Sequence, residues 1–561
     1  MRPHAPTRGA TIPDVRASMA TVCEGKEGTP MPAQTWSSTV DWICLGSGAG
    51  GCAAALAGQA QGFNVLLVER SALIGGTTAQ SGGILWAPMN YLQQEAGLTD
   101  SRQEALAYLR YTGAGENRPA YMEVLVDEAA RVLAALHTHA QIAFRLLDLA
   151  EFYYPMAPGS KAFGRLVMCA PFPAATLGVW RDKVRLSPFY HSLAHALPGP
   201  NPALGGSAGP QVGHSGPLRH QDAALEPWRQ RPDWLALAAR LHEDEAHRVA
   251  GAALAGYLFR AVLQRGIAVR TACDVESLIV DQGRVVGLTL THQGTMERIR
   301  ATRGVVLATS SGDGWRLAMP AGGEVSVGVV RQGMVQLHVP GEQLPDGTPV
   351  TRGNYELRMR HGIVVNRQGQ RFGNEYFFQA LGAQLHAFET WGEHRFVNIP
   401  CYLIFDHQLV ETYSFGGLPP GYSAGLAWVP QGHTLAEVAQ RLALPAPALE
   451  ATVARFNAYA RRGADTDFHR PPESLGPLER PPFYGLELLC PPVSSGTISL
   501  VTNTRAQVLH HRTHHPIPGL YACGQVVATS LDLGVGYQAG CQLMRALVHG
   551  FLAAEHAAAS S

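Results

Sequence analysis

Gly46, Gly48 and Gly51, spaced G-x-G-x-x-G, and Glu69, 18 residues after Gly51, are the residues of this chain whose types and spacing point most directly to chemistry. The first glycine allows a tight turn, the second lets backbone approach a pyrophosphate, and the third packs a helix on a strand. Free amides at a helix N-terminus then meet the phosphate charge. A carboxylate at Glu69 accepts hydrogen bonds from an adenosine ribose. Gly75-Gly76-Thr77-Thr78 and Ser81-Gly82-Gly83 follow as two further close-approach segments with hydroxyls between them. A nicotinamide dinucleotide needs no second cradle there. A flavin does, because its ribityl chain and ring extend further.

These residues need a strand before the glycines, a helix after them and a second strand ending at Glu69. Trp42-Ile43-Cys44-Leu45 is a short apolar run ending in glycine, which fits a parallel strand buried on both faces. Cys52 to Ala60 is mostly Ala and Leu, which are good helix formers, and Phe63 to Val68 reads as the second strand. Strand, glycine turn, helix and strand then fit within about thirty residues. Further on, residues 100 to 140 read as helical with a break near Gly113 to Gly115. Residues 199 to 221 read as a Pro/Gly-rich surface loop, and 233 to 265 as helical. Short alternating strands with a Gln-Gly turn then lead back to a core strand, Gly304 to Thr309.

A length of 561 residues implies roughly two to four domains. Balanced charge, 44 basic against 44 acidic residues, with no basic stripe, argues against a nucleic-acid partner. Nine scattered cysteines without a C-x-x-C pair suggest reduced core thiols, with no metal site and a cytoplasmic location. No run of 18 apolar residues predicts a transmembrane segment. Residues 1–38 lack a signal-peptide apolar region and read as a disordered extension, with Met19 or Met31 as alternative starts.

The order G-x-G-x-x-G, Glu, G-G-T-T-A-x-S-G-G resembles the flavoproteins of the fumarate reductase and 3-ketosteroid dehydrogenase superfamily. The segments "FYYPMAPGSKAFGRLV" (152–167), "GIVVNRQGQRFGNE" (362–375), "IPCYLIFDHQ" (399–408), "LEATVARFNAYARRGADTDFHR" (449–470) and "GLYACGQV" (519–526) resemble 3-ketosteroid Δ1-dehydrogenases in particular. The resemblance spans residues 40 to 557. It implies an α/β fold, a Rossmann-like FAD-binding domain (39–315 and 486–561) with an inserted α+β catalytic cap domain (316–485). It also implies FAD, held by Gly46, Gly48, Ala49, Gly50, Gly51, Glu69, Arg70, Gly76, Thr77, Thr78, Ser81, Gly82, Gly83, Val275, Ala308, Thr309, Gly524, Gln525, Gly540, Gln542 and Leu543.

The implied reaction dehydrogenates a 3-ketosteroid-like cyclic ketone to the 1,2-unsaturated ketone and passes electrons to an unidentified acceptor. The alternatives are an ene-reductase or desaturase of the same superfamily, or a flavin-binding protein without dehydrogenase activity. The matched segments show no cluster of Arg and His for a dicarboxylate. Dehydrogenation needs a base beside the ketone, a hydride acceptor, and donors for the developing enolate. The resemblance gives the donors as the Tyr537 hydroxyl and the Gly540 amide, although Tyr537 stands one residue closer to Gly540 than usual. A packed core tyrosine is the other reading of Tyr537. Tyr153 matches the supporting tyrosine. The base position, a tyrosine four residues after the Asn-Glu pair, is here Gln379, which takes no proton at neutral pH. Tyr376 is the nearest titratable side chain, and His361 is one of many histidines that no spacing singles out. Ile498-Ser499 stands where the family has two glycines under the flavin, and Ala308-Thr309-Ser310-Ser311-Gly312 replaces its A-x-G-G strand end.

Overall fold

The computed structural model describes residues 35–147, 151, 154, 156–187, 247–328, 335–343, 347, 349–353, 355–392, 394–413, 415, 421, 426–490, 497–527 and 538–560. Strand β1 (Ser38–Leu45) begins before the apolar run, because residues 38–40 pair with Ile299 to Ala301. Helix α1 (Ala49–Ala60) starts directly after the extended Gly48, three residues earlier than composition suggests. Strand β2 (Val65–Val68) is shorter than predicted: Phe63 and Asn64 lie between the turn at Gln61–Gly62 and the strand, and the Asn64 amide donates to Asp41 Oδ2 at 2.9 Å. Helices α2 (Arg102–Thr112) and α3 (Pro119–Ala140) are separated at the predicted glycines. Proline at the first position of α3 leaves no amide wanting a partner there.

Helix α4 (Ala250–Gln264) covers the later part of the helical stretch predicted for 233–265; His247–Arg248 is instead a short strand paired with Phe172–Pro173, and residues 233–246 lie outside the described residues. The predicted loop 199–221 lies outside the described residues. Strands β3 (Ala268–Arg270), β4 (Cys273–Asp281), β5 (Arg284–His292) and β6 (Thr295–Leu307) follow. Gln282 and Gly283, both at positive φ, make the two-residue hairpin between β4 and β5. The predicted outer and core strands are one element, β6. Its first half pairs antiparallel with β5 and its second half parallel with β1. Strands β7 (Gln507–Leu509) and β8 (Pro516–Ala522) and helix α5 (Cys541–Ala559) complete this part.

The large sheet has the order β7-β8-β6-β1-β2-β3, with β5 joining β6 to β4. Leu45 is in register with Val68 and Leu307, and Leu307 with Ala522. The carboxyl ends of these four parallel strands therefore align, and the turns that follow them share one edge. A separate antiparallel sheet pairs Gly362–Asn366, Cys401–Asp406, Phe483–Glu487 and Gln431–Gly432 in that order. It has its own core, with Ile363, Val365 and Ile404 against Val438, Leu449, Val453 and Phe456 from the helices Leu435–Arg441 and Ala446–Arg462. Among the described residues no helix is long and apolar enough to cross a membrane, and no group of His, Cys, Asp and Glu could hold a metal ion.

Helix α5 crosses α1 at very short range. A Cβ at Gly550 would lie 2.7 Å from the Gly50 carbonyl oxygen and 2.9 Å from Ala53 Cβ, and a Cβ at Gly50 would lie 2.8 Å from Cys523 Sγ. Gly550→Val should therefore force the helices apart and lower the unfolding free energy by about 1–3 kcal/mol. A wild-type urea midpoint in the variant would show that the crossing tolerates the added volume.

Candidate functional site

Ligands of open α/β sheets bind outside the carboxyl ends of the strands. At that edge the turn after β1 is folded tightly on itself. Gly46 has φ 105°, and a Cβ there would lie 2.4 Å from the Ala308 carbonyl oxygen. A Cβ at Gly51 would lie 1.8 Å from the Gly46 carbonyl oxygen. Gly48 caps α1 without a side-chain bond, and no acidic residue stands in the first turn. A Cβ at Gly48 would come 3.2 Å from Thr78 Oγ1, which accepts the Ala49 amide at 2.8 Å. The two glycine segments thus touch, and the helix opens onto backbone amides with no carboxylate in its first turn.

Glu69 closes β2 beside this turn. Its Oε2 accepts the Ser47 amide at 2.9 Å and the Ser47 hydroxyl at 2.6 Å, and its Oε1 accepts the Ser71 amide. Ser47 Oγ in turn accepts the Gly75 amide at 2.9 Å. Ser47, which sequence reasoning passed over, therefore ties both cradle segments to the carboxylate. Its only signal was a hydroxyl between the first two glycines. A carboxylate has room for about four donors, so Glu69 can still accept from a ribose.

The glycines of the second segment divide by role. Gly76 and Gly82 have nothing within 4 Å of a built Cβ, whereas a Cβ at Gly83 would lie 2.4 Å from the backbone of Ala250. Gly83 thus makes its close approach to the chain itself, and Ser81 holds the same contact by accepting the Gly251 amide. Thr77 Oγ1 donates to Gln525 Oε1 at 2.9 Å, joining segments 448 positions apart. Arg70 pairs with Asp313 at 2.7 Å on an exposed surface, next to Ala308 and Thr309. Val275 gives its carbonyl to Arg316. Gly540, at φ 79°, caps α5, and Gln542 and Leu543 lie in its first turn. A Cβ at Gly540 would lie 2.6 Å from the Trp86 nitrogen. Buried Arg545 donates to the Gly524 carbonyl at 2.9 Å, and His549, one turn on, is pushed down to about 3 by burial and by the Arg545 charge.

Two buried ionic clusters involve described residues that flank the catalytic candidates in sequence. Arg165 makes a bidentate pair with Asp100 at 2.7 and 2.8 Å and reaches Glu151 at 3.1 Å. Glu151 also accepts Trp86 Nε1 at 2.7 Å, and with Arg165 it lies near Cys541 at the start of α5. Tyr153 and Tyr537 themselves lie outside the described residues. In the second cluster Arg371 grips Glu375 with two bonds of 2.7 Å and Asp465 with one of 2.9 Å. Asn374 Oδ1 accepts the Tyr376 amide, its Nδ2 donates to the Phe468 carbonyl, and the Arg358 guanidinium lies 4.3 Å from the Tyr376 ring centre. Gln379 is the second residue of the helix Phe378–Gln384. His361 spends Nδ1 on the Pro477 carbonyl at 2.8 Å, and burial holds its pKa down.

A family model for the FAD binding domain matches residues 41–320 and 309–542. The chain belongs to this family. Its cofactor is FAD. The chain is 30% identical to a 4-oxocyclohexanecarboxylate 2-dehydrogenase of Sinomonas cyclohexanicum, over 92% of each chain. It is 29% identical to a 3-oxosteroid 1-dehydrogenase of Mycobacterium tuberculosis, over 92% of this chain and 98% of that one. The solved 3-ketosteroid Δ1-dehydrogenase of Sterolibacterium denitrificans, in complex with 1,4-androstadiene-3,17-dione, superposes with a TM-score of 0.73 at 27% identity. The match covers 93% of this chain and all of that one. The residues present fit FAD: two helix N-termini lacking side-chain caps and first-turn acids, a carboxylate at the end of β2, and a glycine turn that any Cβ would fill.

The Glu375 cluster sets an acid limit. Burial pushes the Glu375 and Asp465 carboxyls up, but the charge and hydrogen bonds of Arg371 outweigh it and hold both below the usual carboxylate range. Their stabilisation is therefore complete above about pH 4, the unfolded value, and is lost as pH falls through the lower folded values. Glu375→Gln should cost about 3–5 kcal/mol at pH 7, by leaving Arg371 and Arg470 short of a partner, and should flatten the acid limb. Urea midpoints measured from pH 7 to pH 3 check both; parallel limbs in wild type and variant would remove Glu375 from the account.

Proposed function

We propose that this FAD-dependent oxidoreductase removes two hydrogens from adjacent ring carbons beside the ketone of a hydrophobic cyclic substrate, a 3-ketosteroid in the first instance. What carries the reading is the whole-length likeness to dehydrogenases named for two kinds of ring ketone. We infer that residues 39–315 and 486–561 form the FAD-binding domain and 316–485 an inserted cap domain. The separate antiparallel sheet with its own core supports that division.

In this reading Gly46, Gly48, Gly51 and the first turn of α1 hold the pyrophosphate, and Glu69 the adenosine ribose. The segment from Gly76 to Gly82, with Thr77 and Gln525, flanks the ring. FAD, when bound, supplies the hydride acceptor. The Tyr537 hydroxyl and the Gly540 amide donate to the ketone oxygen, and the amide end of α5 adds its positive field. The tyrosinate oxygen of Tyr376, or of Tyr153, its own proton already given up to solvent, accepts the proton from the carbon beside the ketone. Gln379 stays neutral. The electron acceptor is not assigned.

Anaerobic bleaching of the flavin absorbance tests this. A ketosteroid should bleach it, and 4-oxocyclohexanecarboxylate is the second compound to try. No bleaching by any ring ketone would overturn the reading. Gly48→Val should yield a folded, colourless protein, checked by the flavin absorbance of the purified variant beside its circular dichroism. Because a placed base is worth about 10²–10⁴-fold, Gln379→Tyr should raise Δ1-dehydrogenation within that range, and, if Tyr376 rather than Tyr153 is the base, Tyr376→Phe should abolish native turnover. Unchanged steady-state rates in both variants would place the proton transfer elsewhere.

A further inference from the structure

Cys401 and Cys490 lie 89 positions apart in sequence, yet their sulfurs are 3.5 Å apart. Cys401 opens the strand Cys401–Asp406 and is fully buried. Cys490 stands three residues past Glu487, the end of the partner strand, and is partly exposed. The backbone holds both in place. The Leu488 amide donates to the Cys401 carbonyl at 2.9 Å, and Leu489 exchanges two hydrogen bonds with Gln336, of 2.8 and 3.0 Å. Both cysteines are free thiols, and every other described cysteine is buried.

A disulfide needs sulfurs about 2.05 Å apart, so closing this pair asks for about 1.5 Å of movement, within reach of side-chain rotation. The two thiols also differ as such a reaction requires. The hydrogen bond between them holds the Cys490 thiol below its ordinary pKa and the Cys401 thiol above it. The partly exposed partner is thus the better nucleophile and the buried one is placed to resolve it.

We propose that Cys401 and Cys490 form a reversible oxidation site that closes to an intramolecular disulfide in the presence of a peroxide. The Cys490 thiolate attacks one peroxide oxygen, the O–O bond breaks, and the departing hydroxide takes a proton to leave as water. The Cys490 sulfenic acid that results is attacked by the Cys401 sulfur, which loses its proton. The S–O bond breaks and a second water leaves. Two thiols and one hydrogen peroxide thereby become one disulfide and two waters. The product ties the exit of the Phe483–Glu487 strand to the neighbouring strand of the same sheet.

The test treats the full-length holoprotein with hydrogen peroxide, blocks remaining thiols under denaturing conditions and maps the peptides. One cross-linked Cys401–Cys490 peptide is expected, lighter by two hydrogens and released by dithiothreitol. Closing a loop of about ninety residues should also raise the unfolding midpoint by a few degrees. In Cys401→Ser, Cys490 should be trapped by dimedone as its sulfenic acid. In Cys490→Ser, Cys401 should remain a thiol. A wild-type Cys490 that stops at sulfenic or sulfinic acid beside free Cys401 would overturn the proposal. So would a cross-link from Cys490 to Cys23 or to a second chain, or two untouched thiols in the folded protein.

Discussion

The turn after β1 can lie against the turn after β6 only if Gly46 has no side chain, and the rest of the cofactor edge depends on that contact. The Ala308 amide donates to the Leu45 carbonyl at 2.8 Å, so the two turns leave the sheet together. The same closeness brings Gly51 onto the Gly46 carbonyl, which sets where α1 starts. A helix started there directs its first amides outward along the carboxyl edge, where an anion meets its positive end. Parallel register then delivers Glu69, Thr309 and Gly524 to the same edge, because each follows a strand end aligned with Leu45.

Away from that edge, positioning passes from backbone ladders to buried charge. Glu151 and the loop at 371–376 lie outside the helices and strands, yet each is fixed by an arginine between two carboxylates. Buried ion pairs add little net stability compared with apolar packing, but removing one partner is costly. Their use here is geometric: Glu151 reaches Trp86, which touches Gly540, and Glu375 accepts the Val364 amide of the neighbouring strand. A slip of either loop would leave a charge buried without its partner, so the loops have one low-energy placement.

This division explains what could be read from the sequence. The β1-α1-β2 unit was legible because glycine spacing, apolar runs and a carboxylate constrain one another within about thirty residues. Element ends were less legible, since they answer to distant partners: β1 is lengthened by Ile299 to Ala301, and β2 is shortened because Asn64 bonds to Asp41. The two halves of β6 read as separate strands because they serve different neighbours, one antiparallel and one parallel. Ser47, Asp100 and Asp465 escaped notice because a hydroxyl or carboxylate has no periodicity to betray it. Gly83 was recognised as a close-approach glycine, but the backbone it approaches, that of Ala250, belongs to a helix far along the chain.

The Asn374-Glu375 pair is an anchor: Asn374 bonds the Phe468 carbonyl and the Tyr376 amide, and Glu375 bonds Arg371, Arg470 and the Val364 amide. The side chain this anchor fixes most directly is the phenol that follows it, packed beneath Arg358 and edge-on to Phe377. Three residues later, the second position of the helix Phe378–Gln384 holds an amide that neither gains nor loses a proton. His361 donates Nδ1–H to the Pro477 carbonyl at 2.8 Å, and burial holds its pKa down, so its other ring nitrogen carries the lone pair. The titratable side chain that directly follows this anchor is Tyr376, and the proposal that it takes the proton rests on that position.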